Sequence, residues 1–209
     1  MSLIFYTNPM SRGQIARWAL HEVGADYEQK IVTYGPEMKS DYQRDVNPMG
    51  KVPAIDHDGK IVTEVAAICA YLADAFPDSE LAPLADERAD YYRWLFFAAG
   101  PVEASITNRN MGFEVDDPKK QGTLGYGNYE LVMDTLDGLF SGRDFVCGDR
   151  FTMADVYVGC QIVWGLQFGT IPERESFKAY AARLNAREAL QEARAIDMKL
   201  IAEAQAAQD

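Results

Sequence analysis

The chain has 209 residues, 48% hydrophobic and 25% charged, which suffices for a real core in one large domain or two small ones. Its formal net charge of −12 opposes phosphate backbones and anionic lipid surfaces, so neither nucleic acid nor a membrane is an expected partner. The longest apolar stretch, 65–73, is far shorter than a membrane span of roughly 18 residues or more, and no basic-then-apolar leader opens the chain.

Leu3-Ile4-Phe5-Tyr6 reads as a first strand, halted by Asn8-Pro9. A helix follows, with Ile15, Trp18, Ala19 and Val23 on one face and Gly24 at its end. Residues 27–33 read as a second strand, and the polar stretch 34–45 fits a short helix or a loop. Lys51 to Ile55 and Lys60 to Val62 flank His57-Asp58-Gly59, and an Asp-Gly pair between short apolar runs predicts a β-hairpin. Thr63-Glu64 then opens a helix with Val65, Ile68, Cys69, Leu72 and Phe76 on one face, stopped by Pro77. The order βαβ, hairpin, α describes one compact α/β unit.

The segment 77–86 has the composition of a surface linker. Beyond it the chain reads as helical: 87–112, 129–140, 152–167, and two helices within 176–206. Cys69, Cys147 and Cys160 are odd in number, widely spaced and without a CxxC pattern, and read as reduced, mostly buried thiols of a cytoplasmic protein. His21 and His57 have no metal-ligand spacing around them and are expected in surface or turn roles, so no metal is expected. Gly122 to Gly127 reads as a flexible interhelical loop, not a phosphate cradle.

Two neighbouring segments carry chemistry. In Asn47-Pro48-Met49-Gly50-Lys51-Val52-Pro53, a proline at a strand start allows a cis Val52–Pro53 bond. That geometry would turn the Val52 N–H and C=O outward to pair with another extended peptide. Shortly after, Glu64 and Val65 open a helix whose exposed N–H groups attract a carboxylate. Glu64 is suited to an adjacent ammonium, and an α-amino acid end is a ligand with those two charges side by side. Each feature alone also fits an ordinary edge strand and simple helix capping.

The ordered stretch 47–72 resembles the glutathione-binding signature of the cytosolic glutathione transferases. Phe145 to Val156, in which Thr152 and Asp155 stand at capping-box spacing, resembles that family's second-domain motif. Thr152 and Asp155 are expected to serve fold stability. The resemblance, of the bacterial type with a serine-type first loop, implies a thioredoxin-like N-terminal domain over 1–78 and an α-helical bundle C-terminal domain over 87–209. It implies glutathione as co-substrate with no metal, a small hydrophobic electrophile as second substrate, conjugation as reaction, a role in detoxification, and a homodimer.

The resemblance also implies a catalytic residue between the first strand and first helix that hydrogen-bonds the glutathione sulfur. Ser11 occupies roughly that position, where a hydroxyl at a helix N-terminus would stabilise a thiolate by hydrogen bond and dipole; the other reading is a plain N-cap. Tyr6, Thr7, Asn8 and Arg12 are alternatives in the same loop, with Tyr6 expected to face the core. Val52, Pro53, Glu64 and Val65 would hold the peptide. Val65 departs from the family's serine and loses a hydroxyl donor to the γ-glutamyl carboxylate. Lys51 matches a position for the glycine carboxylate; Lys39 matches only loosely and reads more readily as a solvated lysine. Met10, Asn108, Met111, Phe113 and Trp164 are candidates for the electrophile wall or for ordinary core packing. Two other functions fit the same scaffold: a glutathione-dependent disulfide or peroxide reductase, and a non-catalytic ligand-binding protein, which the Val65 departure favours.

Overall fold

The computed structural model describes residues 2–207 and divides into two compact units, Met1–Ala82 with Ala186–Asp209, and Pro83–Asn185. In the first unit, β1 (Leu3–Thr7) buries Leu3, Phe5 and Thr7 on one side and half-buries Ile4 and Tyr6 on the other, as a central strand must when both sheet faces are covered. α1 (Gly13–Glu22) packs Ile15, Trp18, Ala19 and Leu20 inward and ends before Gly24, whose φ of 64° suits a residue without Cβ.

β2 (Glu28–Ile31) runs parallel to β1, with Phe5 opposite Gln29. The ambiguous stretch forms a 3-10 turn at Glu37–Lys39 and the short α2 (Asp41–Asp45), whose Tyr42 joins Val32, Met38 and Ala54 in a small core packed by Tyr6, Val46 and Val52. β3 (Ala54–His57) lies antiparallel to β1, and β4 (Lys60–Val62) closes the expected hairpin. Asp58 and Gly59 both take positive φ, 51° and 81°, the requirement of a tight hairpin turn. α3 (Val65–Ala75) buries Ile68, Cys69, Leu72 and Ala73. The strand order β2-β1-β3-β4 is that of a thioredoxin-like sheet. His57 is buried, against the expected surface or turn role, because its ring stacks on Phe76 and its Nδ1 lies 2.9 Å from the Tyr71 hydroxyl.

The second unit is helical. The single helix expected over 87–112 is three segments: α4 (Arg88–Phe97), a π turn at Ala98–Val102, and α5 (Glu103–Asn110). Pro101 is the cause, since it has no N–H to give to the ladder. After α6 (Pro118–Gln121), α7 (Tyr129–Phe140) starts at Asn128, whose side chain accepts from the Leu131 N–H at 2.9 Å. α8 (Met153–Phe168) is buried on nearly every side and is the axis of the unit. α9 (Glu175–Asn185) crosses it closely, so that a Cβ at Gly159 would stand 2.2 Å from Leu184.

α8 begins with the expected capping box of Thr152 and Asp155. Asp155 is fully buried and accepts from the Val146 N–H (2.7 Å), the Thr152 N–H (2.9 Å), the Thr152 hydroxyl (3.1 Å) and the Tyr180 hydroxyl (2.8 Å). Burial outweighs these donors and pushes its carboxyl up to about 6.

α10 (Glu188–Ala206) differs from the expected division at 87, because it belongs to the first unit and packs along α1. Leu190 and Ala193 are buried there. Arg187 grips Glu22 of α1 through two 2.6 Å bonds. Deeper in, the Arg17 Nε lies 3.0 Å from the Asp197 carboxylate, an ion pair with both side chains almost fully buried. Burial raises the Asp197 pKa, and Arg17 opposes that rise.

Candidate functional site

One end of the sheet gathers three features of the first unit. β1 and β3 pair as far as Tyr6 and Ala54, so the loop that follows β1 and the Val52–Pro53 segment that leads into β3 lie at the same sheet end. β3 and β4 pair as far as Ile55 and Val62, so α3, which begins at Val65, starts at the same sheet end. The first loop, the Val-Pro edge and the start of α3 therefore converge.

The Val52–Pro53 bond is cis, as expected. The loop that delivers it is firmly held. Asn47 is buried, donates to the Lys51 C=O at 2.8 Å and accepts from the Met49 N–H at 3.0 Å, while the Gly50 N–H returns to the Asn47 C=O at 2.7 Å. The Tyr42 hydroxyl donates to the same Lys51 carbonyl at 2.6 Å, and its own pKa is pushed up to about 12, mainly by burial. Gly50 takes φ of 59°, which a side chain would resist. Among the described residues, no hydrogen bond engages the N–H or C=O of Val52, so this pinned edge presents an unpaired donor and acceptor.

α3 starts open. Its N-cap position is Glu64, exposed, at φ 63° and ψ 115°, with no side-chain cap on the helix. The first N–H groups of a helix have no partner inside it, and among the described residues no side chain caps them here. A non-glycine residue at positive φ is strained, and such strain concentrates where ligands are gripped. The half-buried Val65 begins the helix with no hydroxyl to offer.

In the first loop, the Ser11 hydroxyl donates to the Asn8 C=O at 2.6 Å and accepts from the Gly13 N–H at 2.9 Å. Ser11 thus takes the first N–H of α1 from the position before the N-cap Arg12, and its own proton is committed within the loop. Asn8 is buried and laces the loop to the end of β2, donating to the Val32 C=O at 3.1 Å and accepting from the Met10 N–H at 2.9 Å. Thr7 is fully buried. A Cβ on Gly13 would stand 2.0 Å from the Thr7 Oγ1, so only glycine lets α1 start this close to the strand. Tyr6 packs on the opposite sheet face, its ring 5.6 Å from that of Tyr42, as its expected core role requires. Arg12 is exposed, and Met10 is 67% exposed.

Lys39 and Lys51 are both exposed, Lys39 on the 3-10 turn and Lys51 beside the cis bond. In the second unit, Asn108 on α5 donates to the Tyr126 hydroxyl at 3.0 Å, Met111 and Phe113 are exposed just after α5, and Trp164 on α8 is half-buried. A cavity of about 400 Å³ in that unit is lined by other residues, among them Arg109, Tyr129, Thr170 and Arg174, and by none of these four. Among the described residues, no group of three His, Cys, Asp or Glu side chains is placed to hold a metal, and no helix is long and apolar enough to cross a membrane. The burial of Asn47 and the hydroxyl of Tyr42 were not anticipated; the Asn-Pro-x-Gly turn is the one local signal that could have marked Asn47.

The family model for the glutathione S-transferase N-terminal domain matches residues 1–74, and that for the C-terminal domain matches residues 128–188. Glutathione S-transferase GstA of Escherichia coli is 30% identical over 143 residues, 67% of this chain and 63% of that protein. Protein LigF of a Sphingobium species is 49% identical over 61 residues, 29% of this chain and 24% of that protein. The chain thus spans about a quarter of one of these curated relatives and just under two thirds of the other. A sphingomonad glutathione S-transferase solved in complex with glutathione superposes with a TM-score of 0.73 at 27% identity, over 93% of this chain and 98% of that one. The thioredoxin-like sheet, the helical second unit and both domain matches place this chain in the cytosolic glutathione transferase family.

Proposed function

We propose that the chain binds glutathione at the converging end of its sheet and transfers the thiolate to a small apolar electrophile. The observation that supports this most is an unpaired Val52 backbone at the same sheet end as the uncapped start of α3. An extended cysteinyl peptide is the complement of the first. A carboxylate beside an ammonium is the complement of the second, received by the α3 N–H groups and by Glu64. Lys51, and Lys39 more distantly, are the proposed partners of the glycine carboxylate. Met10, Met111 and Phe113, all exposed and apolar, are the proposed electrophile contacts, with Asn108 and Trp164 as the further candidates.

In the reaction the thiol releases its proton to solvent, a sulfur lone pair forms the new S–C bond, and the leaving group departs with its bonding electrons. The N-terminus of α1 beside the loop favours the negative sulfur. The glutathione-bound sphingomonad relative supports the ligand. A homodimer and a cytoplasmic, detoxifying role belong to the same proposal; light scattering that finds a monomer at micromolar concentration removes the dimer.

The test is a panel on one preparation: glutathione binding by calorimetry, then turnover with a chloronitroaromatic, a hydroperoxide and a mixed disulfide. Conjugation of the aromatic is the expected dominant activity. Dominant turnover of the hydroperoxide or disulfide assigns a reductase, and binding without turnover assigns a ligand-binding protein.

A further inference from the structure

The thiolate needs a donor, and the geometry of the first loop leaves the expected one occupied. Ser11 has one hydroxyl proton, and it points to the Asn8 carbonyl at 2.6 Å. That carbonyl also takes the Ser11 N–H at 3.1 Å. The Ser11 oxygen is in turn the acceptor for Gly13 at the start of α1. Turning the proton toward a bound sulfur breaks the first bond, and leaving it in place presents the sulfur with a lone pair. The other hydroxyls of the strand end are engaged elsewhere: Thr7 is fully buried with its Oγ1 3.5 Å from the same Asn8 carbonyl, and the Tyr6 ring packs against Tyr42 on the far face.

A hydroxyl from outside the strand end also reaches this loop, from the start of the polar stretch 34–45. Tyr34 follows β2 and donates to the Met10 C=O at 3.1 Å, next to Ser11 in the chain. Its base is fixed to the same loop: the Val32 N–H bonds the Thr7 C=O at 2.8 Å, and Asn8 bonds the Val32 C=O at 3.1 Å. Tyr34 is 58% exposed and its bond to Met10 lies at the surface, so water can exchange with it at little cost. Gly35, at φ 110°, gives the backbone immediately after it freedom that a side chain would forbid.

We propose that Tyr34 is a catalytic residue of this chain, the hydrogen-bond donor that stabilises the glutathione thiolate, with Ser11 holding the loop in shape. This rests on the reading of the ligand as glutathione. The phenol swings from the Met10 carbonyl to the sulfur and gives a hydrogen bond without transferring its proton. The thiol proton goes to solvent, the S–C bond forms from the sulfur lone pair, and the electrophile's leaving group carries off the electrons of the bond that breaks. A phenol serves here because its O–H donates a hydrogen bond from the end of a rigid ring.

The experiment compares wild type with Tyr34→Phe and Ser11→Ala in the full chain, using glutathione and 1-chloro-2,4-dinitrobenzene. Three quantities are read: the ultraviolet thiolate titration of bound glutathione, the calorimetric Kd, and the split between kcat and KM. Tyr34→Phe keeps the exposed ring, and circular dichroism checks its fold. It is expected to move the titration up toward the free-thiol value of about 8.5. It should also cut kcat at pH 7 by roughly tenfold, restore part of it at pH 9, and leave Kd within about twofold. Ser11→Ala is expected to move the titration less. A Tyr34→Phe titration that coincides with wild type overturns the proposal. So does a raised Kd with the titration unmoved, which makes Tyr34 a clasp between the loops. Wild-type protein that shows no calorimetric binding of glutathione overturns the ligand reading itself, and the two failures are thereby told apart.

Discussion

Two helix starts in this molecule are built in opposite ways. α8, in the second unit, begins on a fully buried Asp155 that accepts four hydrogen bonds, two from its own first turn and two from Val146 and Tyr180 beyond it. α3, in the first unit, begins on an exposed Glu64 in strained backbone and has no side-chain cap. The first is closed and serves stability. The second keeps its N–H groups available, which costs local stability and is useful only if something else supplies the acceptor. A helix start that lacks its cap in a well-packed unit is therefore a better sign of ligand binding than the carboxylate beside it.

The contrast breaks most visibly at Asp155. Asp155→Ala removes the acceptor and strands the Val146 and Thr152 N–H groups and the Tyr180 hydroxyl in a buried place. The expected loss is about 3–5 kcal/mol, or on the order of 10 °C in Tm for a chain of this size, read by thermal and denaturant unfolding. A loss under about 1 kcal/mol would show that α8 does not depend on its closed start.

The same carboxyl sets a pH dependence. Burial holds Asp155 up at about 6 in the folded chain, above an unfolded carboxyl near 4, so between those values the folded form binds more protons. The group's contribution is therefore largest below about pH 4 and is lost as pH rises through about 6. The stability advantage of wild type over Asp155→Asn should shrink by up to about 3 kcal/mol across that window. A difference that is flat or grows with pH contradicts the sign.

At α3 the expected effect changes character. Glu64→Gly relieves a positive φ that costs a side chain about 1 kcal/mol, so Tm should hold or rise. Glutathione affinity should fall roughly tenfold or more with the loss of a charge-assisted bond worth about 2 kcal/mol. Unfolding and calorimetry on the same samples decide it. If Glu64→Gly destabilises the protein and leaves binding intact, α3's start is structural and the contrast with α8 disappears.

Much of this was readable in the sequence where the signal is local. The capping box lies within one helical turn, the Asp-Gly hairpin within a few residues, and the Val-Pro edge follows its own Asn-Pro-x-Gly turn. Features that depend on distant partners were not readable. Arg17 and Asp197 are separated by most of the chain, and nothing near either residue announces that α10 docks on α1. The direction of the Ser11 hydroxyl depends on where the Asn8 carbonyl points, which composition does not encode. The proline that splits the long helix at 98–102 was visible, but its consequence is a π turn within continuous helical backbone and not a break.

The smallest and sharpest test concerns the residue where the chain departs from its family's pattern. Val65 opens α3 and supplies a main-chain N–H but no hydroxyl to the proposed carboxylate. Val65→Ser adds one neutral donor to a charged acceptor at a helix start that is otherwise uncapped, a bond worth about 1 kcal/mol. The glutathione Kd should therefore fall by roughly three- to tenfold. Fold stability should change little, because Val65 is only half-buried and the residues α3 packs inward are Ile68, Cys69, Leu72 and Ala73. Serine can also serve a helix start by itself, bonding a nearby N–H, and that outcome is distinguishable: Tm would rise while Kd stayed in place. A gain in affinity without a gain in stability means that the missing acceptor at α3 is the ligand's carboxylate. A gain in stability alone means that the start of α3 was merely left unfinished, and the carboxylate of glutathione must then be bound elsewhere on the first unit.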